Sequence, residues 1–588
     1  MPWTQVVDPL NNLVLSAMVA VLPVIFIFWA LIVKKMKGYL ASLLAAVIAM
    51  VIAIVVYGMP AGLAAVSAMH GVIYGLFPIC WIVISAVFLF NITIKSGQFE
   101  IIRHFMSSIT SDRRLQALLI AFSFGAFLEG TSGFGTPVAI TAAMLVGLGF
   151  NPLYAAGICL IANTAPVAFG SVGIPIVVAS QVTGIPELAI SQMVGRTLPI
   201  LSAILPFYLV VLMSGFQKTK EVLPAVLVSG FSFAFFQWFS ANYLGPMLPD
   251  VIAGIASIVC LMVLLRFWKP KNIWRFHDEP VPSFTPAGTY SNGQILKAWA
   301  PYIILTIVIL CWGLQPVKTA LDGIGSLKFE IPWLHNAIEN TEKMVLPQTF
   351  KLNYLSAAGT AIFISTLITI PLVGLRYREG ARIFLNTLQQ LKFPIISISS
   401  VLAFAYIVNN SGISITMAEA LAKTGILFPL FSPLLGWLGV FITGSDTSSN
   451  ALFGKLQTAT AESIGVDPVV AIGANTSGGV VGKMISPQSI AVAAAAGNLI
   501  GKESQLFRFT VKHSFIMLGL ICIITAAQAY LFQEIIPKYQ VGSSQVQAAA
   551  EQHAGLFYYL AIPVVLIIVL ISTVITMNKK TKLPRGGS

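Results

Sequence analysis

The chain contains one short motif twice, each time inside an apolar stretch that is interrupted by Asn, Gly and Pro. Five positions match at a constant offset of 312 residues: Ala162, Asn163, Thr164, Gly170 and Pro175 correspond to Ala474, Asn475, Thr476, Gly482 and Pro487. Further matches at offsets of 314 to 316 pair Phe127, Gly130, Ser96-Gly97 and Asn151-Pro152 with Phe441, Gly444, Ser411-Gly412 and Asp467-Pro468. The duplication predicts two structural repeats within one fold.

Composition narrows the class of fold. Of the 588 residues, 57% are hydrophobic and 9% are charged, and the mean hydropathy is +0.87. These values predict an all-α polytopic membrane protein, because a helix satisfies its own backbone hydrogen bonds in lipid. The first apolar run, 12–33, lacks a preceding basic segment and is predicted to be an uncleaved span. The five cysteines are scattered singly without metal-ligand spacing, so the sequence predicts no metal and no cofactor.

A formal net charge of +13 is common in nucleic-acid-binding proteins, but here the positions of the basic residues indicate membrane topology instead. Of the 34 Lys and Arg residues, 25 lie in seven clusters between apolar runs. If all seven clusters are cytoplasmic, the N-terminus lies outside and the C-terminus inside, which requires an odd number of crossings. About thirteen stretches approach the ~20 residues that span a bilayer: 12–33, 39–58, 72–94, 153–180, 191–213, 223–245, 251–267, 297–314, 354–375, 391–409, 467–498, 513–535 and 555–577.

Two apolar stretches remain, 115–149 and 432–465. Each is predicted to be a re-entrant helical hairpin with a buried polar tip, the first entering from the cytoplasm and the second from outside, so the repeats are inverted. The predicted regions are N-terminal helices (1–60), a first inverted repeat (61–180), scaffold helices with an outer loop at 315–352 (181–375), a second inverted repeat (376–498), C-terminal helices (499–578) and a basic tail (579–588).

The two hairpin tips and the two breaks are the polar points of this apolar chain. Glycines allow the backbone to approach a ligand, hydroxyl groups donate hydrogen bonds, and half-helix N-termini at the breaks favour an anion. We therefore predict that a substrate carboxylate binds between tips and breaks. The predicted binding residues are Thr131, Ser132, Asn163, Thr164, Ser445, Asn475, Thr476 and Lys483.

Four ionisable residues lie at membrane depth, where charges are costly: Glu129, Asp446, Lys455 and Lys483. One hypothesis makes Lys483 the counter-charge of an anionic substrate and makes Glu129 or Asp446 the proton carrier. The other pairs Lys483 or Lys455 with Asp446 as a structural ion pair and has Glu129 cap the helix after the first tip. Glu129, expected to have no fixed cation, is the stronger candidate for proton coupling. Asp446 is the weaker candidate because a lysine would hold it ionised.

Four long blocks resemble the bacterial L-lactate permease family, and the resemblance covers nearly the whole chain. The blocks are GAFLEGTSGFGTPVAITAAMLVGLGF (125–150), LYAAGICLIANTAPVAFGSVGIPI (153–176), GWLGVFITGSDTSSNALF (436–453) and GKMISPQSIA (482–491). The resemblance implies a multi-pass inner-membrane symporter that imports L-lactate, and also D-lactate and glycolate, with a proton.

A more distant likeness is to the divalent anion/sodium symporters, whose tips hold carboxylates and sodium with Ser, Asn, Thr and Gly. Here the tips carry Glu129 and Asp446, which fits proton coupling better, because a carboxyl group can bind and release a proton. This likeness implies a homodimer with an elevator movement.

Alternatives to a proton symporter stay open at this point. One is a sodium-coupled carboxylate symporter, and another is a passive facilitator, which would need a continuous polar pore. An enzyme would need a metal cluster, a nucleophile elbow or a nucleotide motif, none of which occurs in the sequence.

Overall fold

The computed structural model of the chain describes residues 2–34, 36–133, 135–276, 290–340, 343–497, 499 and 502–539. Helices dominate these residues, with four short strands. The predicted crossing at 555–577 and the basic tail at 579–588 lie outside the described residues.

The first half of the chain runs from the N-terminal helices into the first repeat. Its helices are α1 (Leu13–Ala20), α2 (Leu22–Phe28), α3 (Gly38–Val55), α4 (Ala61–Tyr74), α5 (Trp81–Lys95), α6 (Gln98–Ser108), α7 (Arg113–Gln116), α8 (Gly125–Thr131), α9 (Thr136–Gly147), α10 (Pro152–Ala162), α11 (Gly170–Thr183) and α12 (Glu187–Lys220). A π-helical segment extends α2 over Trp29–Val33, a second joins α4 to α5 over Gly75–Cys80, and a third joins α7 to α8 over Ala117–Phe124. A 3-10 turn at Val167–Phe169 lies between α10 and α11. Helices α7 to α9 form the first hairpin, and α10 and α11 form the first broken helix.

The middle of the chain contributes five helices and most of the strands. They are α13 (Leu223–Tyr243), α14 (Pro249–Phe267), α15 (Asn292–Gly313), α16 (Gln315–Gly325), β2 (Leu327–Glu330), β3 (Ile338–Glu339), β4 (Thr349–Leu352) and α17 (Ala358–Leu372). Strand β1 (Trp3–Thr4) pairs in parallel with β3, and β2 pairs antiparallel with β4, with Leu327 opposite Leu352. The predicted outer loop therefore carries a small β structure.

The second repeat follows the same order of elements as the first. A long helix, α18 (Tyr377–Asn410), precedes the short helix α19 (Ile413–Ala422), a hairpin made of α20 (Phe428–Thr443) and α21 (Asp446–Ser463), a broken helix made of α22 (Pro468–Lys483) and α23 (Pro487–Ala496), and the long helix α24 (Glu503–Tyr530). A 3-10 turn lies at Gly425–Leu427 and another at Gln533–Ile535. Both hairpins begin and end within a few residues of their predicted bounds.

The two repeats interlock through equivalent contacts. Helix α11 of the first repeat packs against α21 of the second, and α23 of the second repeat packs against α9 of the first. Exchanging the repeats turns the first contact into the second, which is the relation expected of a pseudo-two-fold arrangement. The interlock brings the hairpins and the broken helices of both repeats to one place.

Within the described residues, nine helices are long and apolar enough to cross a membrane, and the pair α10–α11, bent by 64°, would make ten. All but one of the nine coincide with predicted crossings, although those predicted at 72–94 and 391–409 begin earlier, at Ala61 and Tyr377. The exception, Gly425–Thr443, contains the first arm of the second hairpin. The chain is an all-α polytopic membrane protein, while the count of thirteen and the orientation stay predictions.

The break in the second repeat was predicted in the wrong place. Helix α22 continues through 474–479 to Lys483, and the chain leaves the helix only at 484–486. The glycines that suggested a break instead allow α20 to approach. A Cβ atom at Gly478 would lie 2.0 Å from the carbonyl oxygen of Pro433, and one at Gly482 would lie 2.3 Å from that of Trp437. Small residues four positions apart serve this close packing between membrane helices.

Candidate functional site

Four helix N-termini meet at one cavity, two from each repeat. The empty space in and in front of the cavity is about 560 Å³, a figure that includes open solvent. Residues at the start of α9, α11, α21 and α23 line it: Gly135, Gly170, Ser171, Ser445, Asp446, Thr447, Gln488 and Ser489. The rest of the lining is Glu129, Val167, Ile174, Pro175, Gly444, Lys483 and Val492. A helix N-terminus presents backbone N–H groups without helical partners and the positive end of its dipole, so this arrangement favours an anion.

The duplicated prolines explain how two of these helices begin. Pro487 opens α23 after Ser486, whose side chain accepts a hydrogen bond from the Ser489 N–H. In α11 the backbone at 171–173 is left-handed, so regular helical geometry begins only just before Pro175. Proline suits the first turn of a helix because its missing N–H would have no partner there. The duplicated prolines therefore mark helix starts at the cavity.

Lys483 and Glu129 form a buried ion pair between the two repeats. Lys483 Nζ lies 2.6 Å from Glu129 Oε1, and their side chains are 10% and 3% exposed. Asn163 Nδ2 donates to the other carboxylate oxygen, Glu129 Oε2, at 2.9 Å. A Cβ atom at Gly170 would lie 2.7 Å from Oε1, so only glycine leaves room for the carboxylate there. The expectation that Glu129 has no fixed cation was wrong, because α22 extends as a helix to Lys483.

Asp446 also lines the cavity. Its side chain is buried, and neither carboxyl oxygen has a hydrogen-bond partner among the described residues. A Cβ atom at Gly479 would lie 2.2 Å from Oδ1, so the carboxyl group rests directly against α22. The hypothesis of a structural ion pair with Lys483 or Lys455 is not realised, because Lys483 turns to Glu129. The acid paired with lysine is therefore Glu129 in the first tip, not Asp446 in the second.

The Asn-Thr pair of the second repeat lies behind the cavity wall. Asn475 Nδ2 donates to Asn450 Oδ1 at 2.8 Å, and Thr476 Oγ1 donates to the same oxygen at 3.0 Å. Asn475 also accepts from Gln457, while Asn450 Nδ2 donates to the Pro175 carbonyl oxygen at 3.0 Å. This network ties α21 and α22 of the second repeat to α11 of the first.

Of the remaining predicted residues, Ser445 lines the cavity, whereas Thr131, Ser132 and Thr164 do not. Ser445 lines the cavity and caps α21, with its hydroxyl accepting from the Ser448 N–H at 3.3 Å. Thr131 and Ser132 are buried and donate to backbone carbonyl oxygens within their own hairpin arm. Thr164 Oγ1 is buried and has no hydrogen-bond partner among the described residues. Of the ten predicted site residues, four therefore line the cavity: Glu129, Ser445, Asp446 and Lys483.

Four polar residues of the cavity wall were not among the predicted site residues: Ser171, Thr447, Gln488 and Ser489. Ser171 is held at φ 47° and donates to the Ser132 carbonyl oxygen at 3.0 Å. Gln488 and Ser489 stand in the first turn of α23. The duplicated proline was a signal for three of them, since Ser171 lies four residues before Pro175, and Gln488 and Ser489 directly follow Pro487.

Comparison with known proteins decides the family. The family model described as L-lactate permease matches residues 16–532. The chain belongs to the L-lactate permease family. This confirms the resemblance seen in the four sequence blocks, and the family is one of permeases rather than enzymes.

Three relatives match the permease over nearly its whole length. An L-lactate permease of Bacillus subtilis (strain 168) is 54% identical over 563 residues, covering 91% of this chain and 100% of the relative. The glycolate permease GlcA of Escherichia coli (strain K12) is 52% identical over 556 residues, covering 90% and 98%. An L-lactate permease of Salmonella typhimurium is 50% identical over 548 residues, covering 91% and 100%.

Among solved structures, MtrF of Neisseria gonorrhoeae, described with a class of antimetabolite efflux pumps, aligns with a TM-score of 0.39 at 14% identity. The alignment covers 77% of the permease and 81% of that chain, and a similarity this weak supports no argument.

Proposed function

We propose that the permease imports L-lactate, D-lactate and glycolate across the bacterial inner membrane together with a proton. Relatives at more than half identity are named for L-lactate and for glycolate. The observation that carries the proposal is the cavity where four helix N-termini and Lys483 surround a space suited to a small carboxylate. Ser171, Gln488 and Ser489 line the same cavity, and we expect their hydroxyl and amide groups to hydrogen-bond the substrate's hydroxyl group.

In this proposal, proton coupling arises because the substrate carboxylate and Glu129 compete for Lys483. A substrate carboxylate that binds Lys483 takes the cation away from Glu129. A buried carboxylate without its partner costs roughly 3–5 kcal/mol, and taking up a proton removes that cost. Asp446 offers a second place for a proton on the cavity wall. One proton on either acid balances the substrate's charge while the loaded site crosses the low-dielectric barrier.

The driving ion is tested in proteoliposomes that contain the purified permease. We expect labelled L-lactate to accumulate against its gradient when a proton gradient is imposed, and we expect an uncoupler to abolish the accumulation. A sodium gradient alone should drive nothing. Accumulation on a sodium gradient would make the protein a sodium symporter, and equilibration without accumulation would make it a facilitator.

The coupling residues are tested by neutral variants in the same assay. Glu129→Gln and Asp446→Asn each mimic a protonated acid, so the variant of the coupling acid should lose uphill uptake and keep lactate-for-lactate exchange. Glu462→Gln, an exposed acid at the end of α21, serves as the matched control and should keep both activities. If both acid variants accumulate lactate at the parent's rate, the proton travels elsewhere.

A further inference from the structure

A third buried acid, Asp250, lies just behind the ion pair of the cavity. It stands at the start of α14 with a side chain that is 1% exposed. Neither of its carboxyl oxygens has a hydrogen-bond partner among the described residues. Asp250 does not line the cavity. A buried polar group of this kind requires an explanation, because leaving it unpaired is costly.

Two glycines allow α14 to pack directly against the first hairpin. A Cβ atom at Gly130 would lie 2.8 Å from the Cβ of Asp250, and one at Gly254 would lie 2.8 Å from the Phe127 nitrogen. Asp250 thus touches the residue next to Glu129. Repacking cannot separate Asp250 from the ion pair without moving the hairpin arm.

The charged groups that act on Asp250 are Glu129 of α8 and Lys483 of α22. From α13, the side chain of Gln237 faces it, and one N–H of that amide donates to the Ala165 carbonyl oxygen at 2.9 Å. Among the described residues, the cavity region therefore holds three buried acids, Glu129, Asp250 and Asp446, and one buried lysine, Lys483. Lys483 neutralises Glu129, so an ionised Asp250 would be an uncompensated negative charge beside the pair.

We propose that Asp250 is a further proton-binding site of the permease, in addition to Glu129 and Asp446, and that its proton must be present for Lys483 to take the substrate carboxylate. This proposal rests on the proposed function, since it assumes that an anionic substrate binds at Lys483. With Asp250 neutral, Lys483 can turn to the substrate. With Asp250 ionised, its negative charge holds Lys483 and repels the incoming anion. By linkage, lactate binding and protonation of Asp250 favour each other.

The test is the pH dependence of lactate binding to the purified full chain. The slope of log Kd against pH reports the number of protons taken up with each lactate. We expect Kd of the parent to weaken as pH rises, by up to ~tenfold per pH unit for each linked proton. In Asp250→Asn, whose side chain stays neutral, the slope should fall by about one proton per lactate. Asp250→Ala also removes the charge and should give the same reduced slope.

Ser257→Ala is the matched control. Ser257 lies on the same helix and its hydroxyl bonds that of Ser123 in the hairpin arm at 2.8 Å, but it carries no charge. This variant should keep the parent's slope. The proposal is overturned if Asp250→Asn keeps the parent's slope, or if both Asp250 variants are folded and do not bind lactate. If the parent itself neither binds nor transports lactate, the proposed function fails instead.

Discussion

At the residue scale, the cavity depends on glycines that leave room for charged side chains. Gly170 faces Glu129 Oε1 so closely that a methyl group there would meet the oxygen at 2.7 Å. In Gly170→Ala the carboxylate must move away from Lys483 or from Asn163. The displaced Glu129 is then out of place to receive a proton when the substrate takes Lys483, and disturbing a buried charged contact typically costs well over ~1.4 kcal/mol, so we expect proton-driven lactate uptake to fall at least ~tenfold.

Gly147→Ala provides the control for this substitution. Gly147 ends α9, and a Cβ atom there would meet nothing within 4 Å. This variant should keep the parent's uptake in the same assay. Normal uptake by Gly170→Ala would show that transport does not need the Glu129–Lys483 geometry seen here.

At the element scale, one arginine anchors the first hairpin to its surroundings. Arg114 is fully buried at the start of the first arm, with its guanidinium 2.8 Å from Asp112 and 3.0 Å from Glu221. It also donates to the carbonyl oxygens of Lys218 and Asn272, at 2.6 and 3.0 Å. It thereby joins the hairpin to the turn between α12 and α13 and to the segment after α14.

Arg114→Ala should therefore destabilise the permease strongly. Removing one partner of a buried ion pair typically costs roughly 3–5 kcal/mol. We expect a clear fall in the thermal unfolding temperature in detergent. Arg103→Ala breaks an exposed pair with Glu100 and should shift that temperature little. Equal shifts for the two variants would mean that Arg114 does not anchor the hairpin.

At the scale of the whole molecule, the two repeats are predicted to be inverted in the membrane. Gly147 and Ser463 are equivalent positions, since each ends the second arm of a hairpin, and both are exposed. In a background without the native cysteines, Gly147→Cys and Ser463→Cys should be labelled by an impermeant reagent from opposite sides of the membrane. Labelling of both from one side would make the repeats parallel and would remove the re-entrant assignment.

Much of the fold could be predicted from sequence because its signals are local. Apolar length and the placement of basic residues predicted the long helices and both hairpins, and Asn, Gly and Pro predicted the break at 163–169. The same local signals failed at 474–479. There the glycines serve contact with α20 rather than a chain break, and a single sequence does not distinguish these two uses of glycine.

The sequence by itself determined that this is a duplicated, all-α membrane protein whose polar tips and breaks suit an anion. Only the tertiary structure decided which charge faces which. Lys483 pairs with Glu129 across 354 residues of chain, although Asp446 is far closer in sequence. No sequence feature singled out Asp250 as a site residue, because an acidic residue at the start of a helix is common. Partner choice depends on how distant helices cross and rotate against one another, and that geometry arises only when the two repeats interlock.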